Sequence, residues 1–209
     1  MKYLMSVIFS VFAANMLFAQ GFEGILEFKE QSGTEVQNSV FYIKGDKVRI
    51  DEFKPGTRMI VQSNIIDTKS GTVTLLDHVN KTWITKTVTD KPAALKDGQV
   101  SNSKNSKEYF GYKCREYAVK SASGGNTISI WATSGNFYFF PHFIELTGKS
   151  DFFPAYYLSL GLKDGSMPML ITETDAQGKE LSRTEVTRLD KKTLDDALFA
   201  IPRDFRQAQ

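Results

Sequence analysis

The sequence predicts a mainly β protein with minor helical content, built on antiparallel strands. Three observations support this prediction. Short runs of β-forming residues alternate with turn signals about every ten residues between Val36 and Val88. A second pair of such runs follows between Tyr109 and Thr133, and no helical periodicity extends through either region. A segment of a different kind, Phe137–Leu162, crowds aromatic residues together.

The first predicted strand covers residues 22–29. Apolar side chains at Phe22, Leu26 and Phe28 alternate with charged ones, which is typical of a strand buried on one face. Ile25 is an exception to that alternation. The turn-forming residues at 31–34 then lead into the long series of strands.

Within that series the clearest turn is Lys44–Lys47. Gly45 and Asp46 accept the positive φ angles of a two-residue hairpin turn. The flanking runs alternate, so that every second side chain lines one face of the sheet. The predicted strands are Val40–Ile43, Val48–Phe53, Met59–Asp67, Val73–Leu76 and Lys81–Thr85, with turns at Pro55-Gly56, Lys69–Gly71 and Asp77–Asn80.

The composition changes after Val88. Asp90–Lys107 is rich in Lys, Asp, Ser and Asn and contains almost nothing apolar, which predicts a long exposed polar loop. Strands resume at Tyr109–Val119 and Thr127–Thr133, and Ser123–Asn126 is the predicted hairpin turn between them.

The aromatic segment carries the candidate ligand-binding residues. Nine aromatic residues lie between Phe137 and Tyr157, interrupted by Pro141 and Pro154, which restrict helix to short pieces such as 156–162. One interpretation is plain core, because aromatic side chains bury large areas. The other is a cover or lining for an apolar ligand on the open face of a curved sheet. With one residue of the preceding strand, the candidates are Trp131, Phe137, Phe139, Phe140, Phe143, Phe152, Phe153, Tyr156 and Tyr157.

The C-terminal part returns to strands. Pro168–Thr174 and Glu180–Leu189 are predicted to form a hairpin around a turn at Asp175–Lys179. The final element, Thr193–Phe199, is predicted to be one helical turn capped by its aspartates. Its apolar side chains would then pin the terminus to the sheet.

The N-terminus predicts export. A basic start at Lys2 precedes an apolar run from Leu4 to Phe18 and a small residue at Ala19, a pattern typical of a cleavable secretory signal. The alternative is a membrane anchor, which normally needs about 20 apolar residues. We therefore expect a signal peptide at 1–19, no membrane-spanning segment after cleavage, and a single domain at 20–209 in the periplasm or outside the cell.

Composition excludes some classes of function. The 209 residues include 26 basic and 24 acidic ones, for a net charge of +2, and the basic residues are scattered singly. Such a chain has no field that would attract nucleic acid. The single cysteine, Cys114, cannot form an intramolecular bridge. Its position in a predicted strand favours a small buried apolar group, and a reactive thiol beside Arg115 is the alternative.

No pattern of residues predicts catalysis, a cofactor or a metal. The two histidines, His78 in a turn and His142 in the aromatic segment, lack the paired spacing of a metal site. His142 is expected to be a partner within the aromatic cluster. Asp195 and Asp196 are expected to cap the final turn rather than act as acid and base, because adjacent side chains point in different directions.

Several of these motifs carry a family resemblance over nearly the whole mature chain. The sequence resembles an exported bacterial family known as a domain of unknown function (DUF4412). That family is similar in architecture to the periplasmic lipoprotein carriers of the LolA and LolB type, which implies a strongly curved, unclosed β-barrel at 20–209. The aromatic segment departs from the carrier pattern, because two prolines stand where long covering helices would be expected. The motifs are Tyr42–Ile50, Ile65–Gly71, Leu76–Trp83, Gly111–Tyr117 and Leu194–Pro202.

The resemblance implies a non-catalytic binding module of the cell envelope. Its ligand would be a lipid, an acyl chain or another apolar molecule held in the concave face of the sheet. The alternative is a structural or interaction component of the envelope that meets a protein partner through exposed sheet edges or the polar loop at 90–107. A hydrolase would require titratable groups converging in a cleft, with one of the histidines among them.

Overall fold

The computed structural model describes residues 21–120, 125–146 and 152–208, without the side chain of Phe152. The predicted signal peptide at 1–19 lies outside the described residues. So does the first half of the predicted turn at Ser123–Asn126, and so do residues 147–151 of the aromatic segment.

Strands dominate the described chain, and two short helices interrupt them. The helices are α1 (Phe139–Ile144) and α2 (Phe152–Ser159). The strands are β1 (Gly24–Ser32), β2 (Glu35–Lys44), β3 (Lys47–Phe53), β4 (Ile60–Asp67), β5 (Thr72–Asp77), β6 (Thr82–Thr87), β7 (Gln99–Tyr109), β8 (Tyr112–Lys120), β9 (Thr127–Ser134), β10 (Ser166–Thr174), β11 (Glu180–Lys191) and β12 (Arg206–Gln207).

All twelve described strands form one sheet, in the order β12-β6-β5-β4-β3-β2-β1-β11-β10-β9-β8-β7. Neighbours are antiparallel except for the short parallel pair of β12 with β6. The pairing of β1 with β11 joins the meander formed by β1 to β6 with the strands β7 to β11. Because β7 and β12 remain at opposite edges, the sheet is not closed into a barrel. The predicted fold class, a mainly β unclosed barrel with a short helical cover, is confirmed.

The two helices lie on one face of the sheet, which we call the inner face. Their aromatic residues join a core with Leu26, Ile43, Val48 and Val186, all at most 5% exposed. The opposite, outer face is covered by the C-terminal segment, 194–208. Leu194 and Phe199 of that segment pack against strand residues Ile25, Ile65 and Leu76.

The position of Ile25 follows from this two-sided burial. Successive strand residues point to opposite faces, so Leu26 enters the inner core while Ile25 enters the outer one.

The predicted final turn is confirmed as a 3₁₀ turn at Asp196–Phe199, with Asp195 Oδ1 accepting a hydrogen bond from the Ala197 amide at 2.9 Å. The capped turn fixes the side chains that cover the outer face.

Two sequence predictions need correction in the β7–β8 hairpin. The predicted loop at 90–107 is wrong from Gln99 onward, because β7 begins there. Nearly every side chain of β7 is exposed, so no apolar alternation marks it, and its pairing with β8 is made by backbone groups. The predicted strand Tyr109–Val119 is broken at Phe110-Gly111, where φ angles of 50° and 78° make a two-residue turn.

No helix among the described residues is long and apolar enough to cross a membrane.

Candidate ligand-binding site

The prolines of the aromatic segment determine where its helices begin. Pro141 is the third residue of α1 and Pro154 the third of α2. Proline is tolerated in the first helical turn, where its missing N–H has no helical partner to lose. The predicted helix at 156–162 therefore starts four residues earlier, at Phe152, and ends at Ser159.

A cavity of about 530 Å³ lies between these helices and the inner face of the sheet. Its volume is within the range of about 300–1,000 Å³ typical of small-molecule sites. The helices contribute Phe140, Phe143, Ile144, Phe153, Pro154 and Tyr156, and the sheet contributes Phe28, Glu30, Ser39, Phe41, Ile128, Pro168, Ile171, Glu173, Ser182 and Thr184.

Contacts between aromatic rings connect the sheet to the helical cover. The rings of Phe28 and Phe41 lie 4.6 Å apart on neighbouring strands. Phe41 meets Phe143 of α1 edge to face at 5.7 Å, and Phe143 contacts Phe140 at 5.9 Å. Phe140 in turn meets Tyr157 of α2 edge to face at 5.1 Å. Such contacts hold the two short helices against the sheet.

The cavity is polar at one end. The strand pairs place Glu30 opposite Thr184, and Ser182 opposite Glu173, toward the β1–β2 and β10–β11 turns. Glu173 accepts hydrogen bonds from Asn126 Nδ2 at 2.7 Å and from Ser182 Oγ at 3.2 Å. The apolar helices and the aromatic strand residues make up the other part of the lining, so the cavity is amphipathic.

The structure brings four of the nine candidate residues to this cavity: Phe140, Phe143, Phe153 and Tyr156. Phe137 and Phe139 are buried elsewhere in the inner core, and Phe137 stacks between Phe22 and Tyr112 at ring distances of 5.1 Å. The side chain of Phe152 lies outside the described residues.

Two further candidates also lie away from the cavity. The Tyr157 hydroxyl donates a hydrogen bond to the Ser166 carbonyl at 2.9 Å, and burial raises its pKa. Trp131 alternates with Ile130, which packs against α2, so Trp131 lies on the other face of β9, where its ring contacts that of Tyr109.

The candidate residues predicted from the sequence do not include the strand residues that line the cavity. Phe28 and Phe41 lie at alternating positions in two predicted strands, and this alternation was the signal in the sequence that could have identified them as lining residues. Their meeting depends on the pairing of β1 with β2, and the addition of Ile171 and Glu173 depends on the pairing of β10 with β11.

A second pocket, of about 600 Å³, lies between β8, β9 and the chain that follows α2. Its lining includes the basic residues Lys113, Arg115 and Lys163 and no carboxylate. All three basic side chains are exposed. The two pockets therefore differ in the sign of the charge that they carry.

A buried polar cluster lies on the outer face, beneath the C-terminal segment. Ser63 Oγ donates a hydrogen bond to Asp51 Oδ1 at 2.6 Å, and Arg49 Nε donates to the same oxygen at 2.7 Å. Arg49 also donates to the carbonyl of Leu198 at 2.9 Å. His78 Nε2 lies 2.7 Å from Ser63 Oγ. Four polar side chains thus tie strands β3 and β4 to the C-terminal segment.

This cluster holds a serine and a histidine but does not form a hydrolytic site. The single hydroxyl proton of Ser63 goes to Asp51, so the nitrogen facing Ser63 is the donor N–H of His78. A histidine that donates to the serine cannot take its proton as a general base. Burial and the nearby Arg49 charge lower the pKa of His78, and its ring packs edge to face on Phe205 at 5.2 Å.

The other groups singled out in the sequence lie apart from the cavity. His142 is exposed on α1, so the expectation that it joins the aromatic cluster is wrong: the buried side of that short helix is filled by Phe139, Phe140, Phe143 and Ile144. The burial expected for Cys114 is confirmed, because it is 0% exposed and desolvation raises its pKa to about 11. Over the described ranges, no group of three or more His, Cys, Asp or Glu residues could hold a metal ion.

The sheet, its helical cover and the cavity define an open β half-barrel with an amphipathic site between the cover and the sheet. The chain belongs to the family described as "Domain of unknown function (DUF4412)", whose model matches residues 22–205. The predicted family resemblance is therefore confirmed. No curated protein matches the sequence.

Solved structures share the fold. An uncharacterised conserved protein from Thermus thermophilus is similar with a TM-score of 0.52 at 12% identity, covering 89% of this chain and 90% of that one. MucB is similar with a TM-score of 0.51 at 11% identity, covering 87% of this chain. This chain spans only 58% of the length of MucB. At these identities the likeness shows the fold alone.

The expected likeness to lipoprotein carriers is also found. A domain assigned to outer membrane lipoprotein sorting, from Vibrio parahaemolyticus, matches with a TM-score of 0.33 at 11% identity, covering 84% of this chain and 87% of that one. A score this low adds nothing to the argument from the fold. The description of the matching family names no catalytic activity.

Proposed function

We propose that this protein is an exported, non-catalytic module of the cell envelope that holds an amphiphilic or apolar molecule, such as a lipid, in the cavity beneath α1 and α2. The observation that carries the proposal is the cavity of about 530 Å³, whose helical cover is apolar. The cavity is open to solvent and has the size of a small-molecule site, so a ligand can reach its apolar part. The export pattern at 1–19 supports a periplasmic or secreted location.

The geometry of the cover also supports ligand entry. α1 is six residues long and α2 eight, and isolated helices of that length are marginal. Their stability therefore comes from the aromatic contacts that they make with the sheet. A cover held mainly by side-chain packing can move aside at a lower free-energy cost than a strand, whose backbone hydrogen bonds would have to break.

The alternative role, binding of an envelope protein, has the edge strand β7 as its supporting observation. In the described sheet, β7 is an end strand with β8 as its neighbour. However, the register shifts between Asn102 and Ser106, Lys104 has a φ of 62°, and Lys107 adds a second charge. Bulges and lysines protect an edge from pairing with another chain, so the cavity is the stronger basis for a function.

The test combines ligand identification with a variant that fills the cavity. The mature protein, purified from its own envelope without detergent, is measured by native mass spectrometry and then extracted with organic solvent. We expect an added mass that extracts as lipid. Binding of the uncharged fluorescent probe N-phenyl-1-naphthylamine is then compared between the wild type and Ser39→Phe, which places an aromatic ring in the lining.

The matched control is Asn38→Phe, one residue earlier on β2, where the side chain points to the other face of the strand. We expect Ser39→Phe to weaken probe binding by about tenfold, the equivalent of ~1.4 kcal/mol, and Asn38→Phe to bind like the wild type. Equal binding by all three proteins, together with a bare monomer mass, would overturn the proposal and favour a protein partner.

A further inference from the structure

Resting on the proposed function, we infer that the cavity selects ligands whose polar group is a hydrogen-bond donor, and a cationic amine above all, over ligands that end in a carboxylate or phosphate. The cavity itself defines the site, and the inference concerns the chemistry of its polar end.

The charged groups at that end are all acceptors, because a carboxylate only accepts, whereas the hydroxyls there can donate or accept. Glu30 and Glu173 contribute carboxylates, and Ser39, Ser182 and Thr184 contribute hydroxyls. No lysine, arginine or histidine is among the residues that line the cavity in the described chain. An amphiphile whose apolar chain lies under the helices therefore meets negative charge at its polar group.

The neighbouring basic residues are directed elsewhere. Lys29 and Arg183 each lie between two lining residues of the same strand, so their side chains point to the other face of the sheet. Arg183 is in addition held by Glu185 at 3.2 Å and by Glu180 at 3.3 Å. The negative charge at the cavity is thus not neutralised by these two cations.

Both carboxylates keep capacity to accept. Glu30 is exposed, and its carboxylate has no hydrogen-bond or ion-pair partner among the described residues. Glu173 accepts from Asn126 and Ser182, while a carboxylate offers about four acceptor sites. Glu30 lies opposite Thr184 of β11, and Glu173 lies opposite Ser182. The two residues are therefore two strand spacings apart and offset by two residues along the strands, roughly 12 Å in all. They act as two separate points of attraction rather than a chelating pair.

The size of the preference follows from this geometry. The attraction between two unit charges 4 Å apart changes an affinity by about fivefold in bulk water and by several hundredfold near a protein surface. Since the rim is open to solvent, we expect the lower part of that range. This corresponds to roughly a tenfold preference for an ammonium over an uncharged group, with a carboxylate disfavoured. Salt should reduce the preference, because exposed charges are screened.

The experiment uses three probes with the same twelve-carbon chain: dodecylammonium, dodecanol and dodecanoate, each below its micelle concentration. Each probe competes with N-phenyl-1-naphthylamine for the full mature protein. We expect affinities in the order given, with dodecylammonium about tenfold tighter than dodecanol at low salt. In Glu30→Gln/Glu173→Gln the three affinities should converge to within about twofold.

The matched control is Asp97→Asn/Glu108→Gln, which changes the net charge equally at two exposed carboxylates outside the cavity lining. It should keep the wild-type order, which separates the local effect from a change in overall charge. If dodecanoate binds as tightly as dodecylammonium to the wild type, the inference is overturned while the proposed function stands. If none of the three probes competes, the proposed function itself fails.

Discussion

The buried cluster on the outer face gives the most direct test of how the C-terminal segment is held. In the variant Asp51→Ala, Arg49 and Ser63 both lose their shared acceptor. The side chains of Arg49 and Asp51 are only 11% and 3% exposed, so water cannot replace the lost partner without opening the segment above. The perturbation therefore leaves a largely buried guanidinium without its counter-charge.

The magnitude follows from that burial. Removing one member of a buried ion pair typically costs about 3–5 kcal/mol. Arg49 would retain its hydrogen bonds to the Leu198 carbonyl and to Ser63 Oγ, at 2.9 Å and 3.1 Å, which places the expected loss at the lower end, about 3 kcal/mol. For a chain of this size that loss corresponds to a decrease in Tm of roughly 6–12 °C.

The assay is urea unfolding of the mature protein, followed by hydrogen–deuterium exchange of residues 194–208. We expect the lower stability to be accompanied by faster exchange at Arg206 and Ala208, whose amides donate to Lys81 and Trp83 of the sheet. The control is Asp196→Ala, which removes the partner of Lys44 where the aspartate is 79% exposed. Solvent screens such an exposed pair, so its loss should change stability far less than the loss of Asp51.

A decrease of less than about 1 kcal/mol for Asp51→Ala, or a decrease no larger than that of Asp196→Ala, would refute the reasoning. Lower stability with unchanged exchange at 194–208 would show that the cluster supports the strands alone. In that case Arg49 would not couple the sheet to the C-terminal segment.

Two further predictions concern titratable groups. Burial holds the pKa of His78 below its ordinary value of 6.5, so the unfolded chain binds more protons near that pH. The free energy of unfolding should therefore fall as the pH is lowered from about 7. His78→Gln should flatten this decrease in urea titrations, and an unchanged decrease would contradict the reasoning. Cys114 is buried and its pKa is raised to about 11, so iodoacetamide should label it only in denaturant and leave it unmodified in the folded protein. Rapid labelling of the native protein, measured by mass spectrometry, would contradict the burial.

The sequence correctly predicted the turns and caps that depend on neighbouring residues. The turn at Gly45-Asp46 and the cap at Asp195 depend on residues within a few positions, and both are found where the sequence predicts them. The same reasoning missed β7, because a strand exposed on nearly its whole length carries no apolar alternation. It also missed the turn at Phe110, because an aromatic residue seldom adopts a positive φ.

The cavity and the buried polar cluster depend on strand pairings between distant parts of the chain, which local sequence patterns do not reveal. The sequence left two interpretations of the aromatic segment, plain core or a cover for an apolar ligand, and four of its aromatic residues do line the cavity. Only the tertiary structure decided which strand residues face them, because the pairing of β1 with β11 joins residues about 160 positions apart in the chain. The same holds for His78 and Ser63, which register and folding bring within 2.7 Å although neither shows a motif. Strand alternation specifies a face, but the register between distant strands determines which side chains share it.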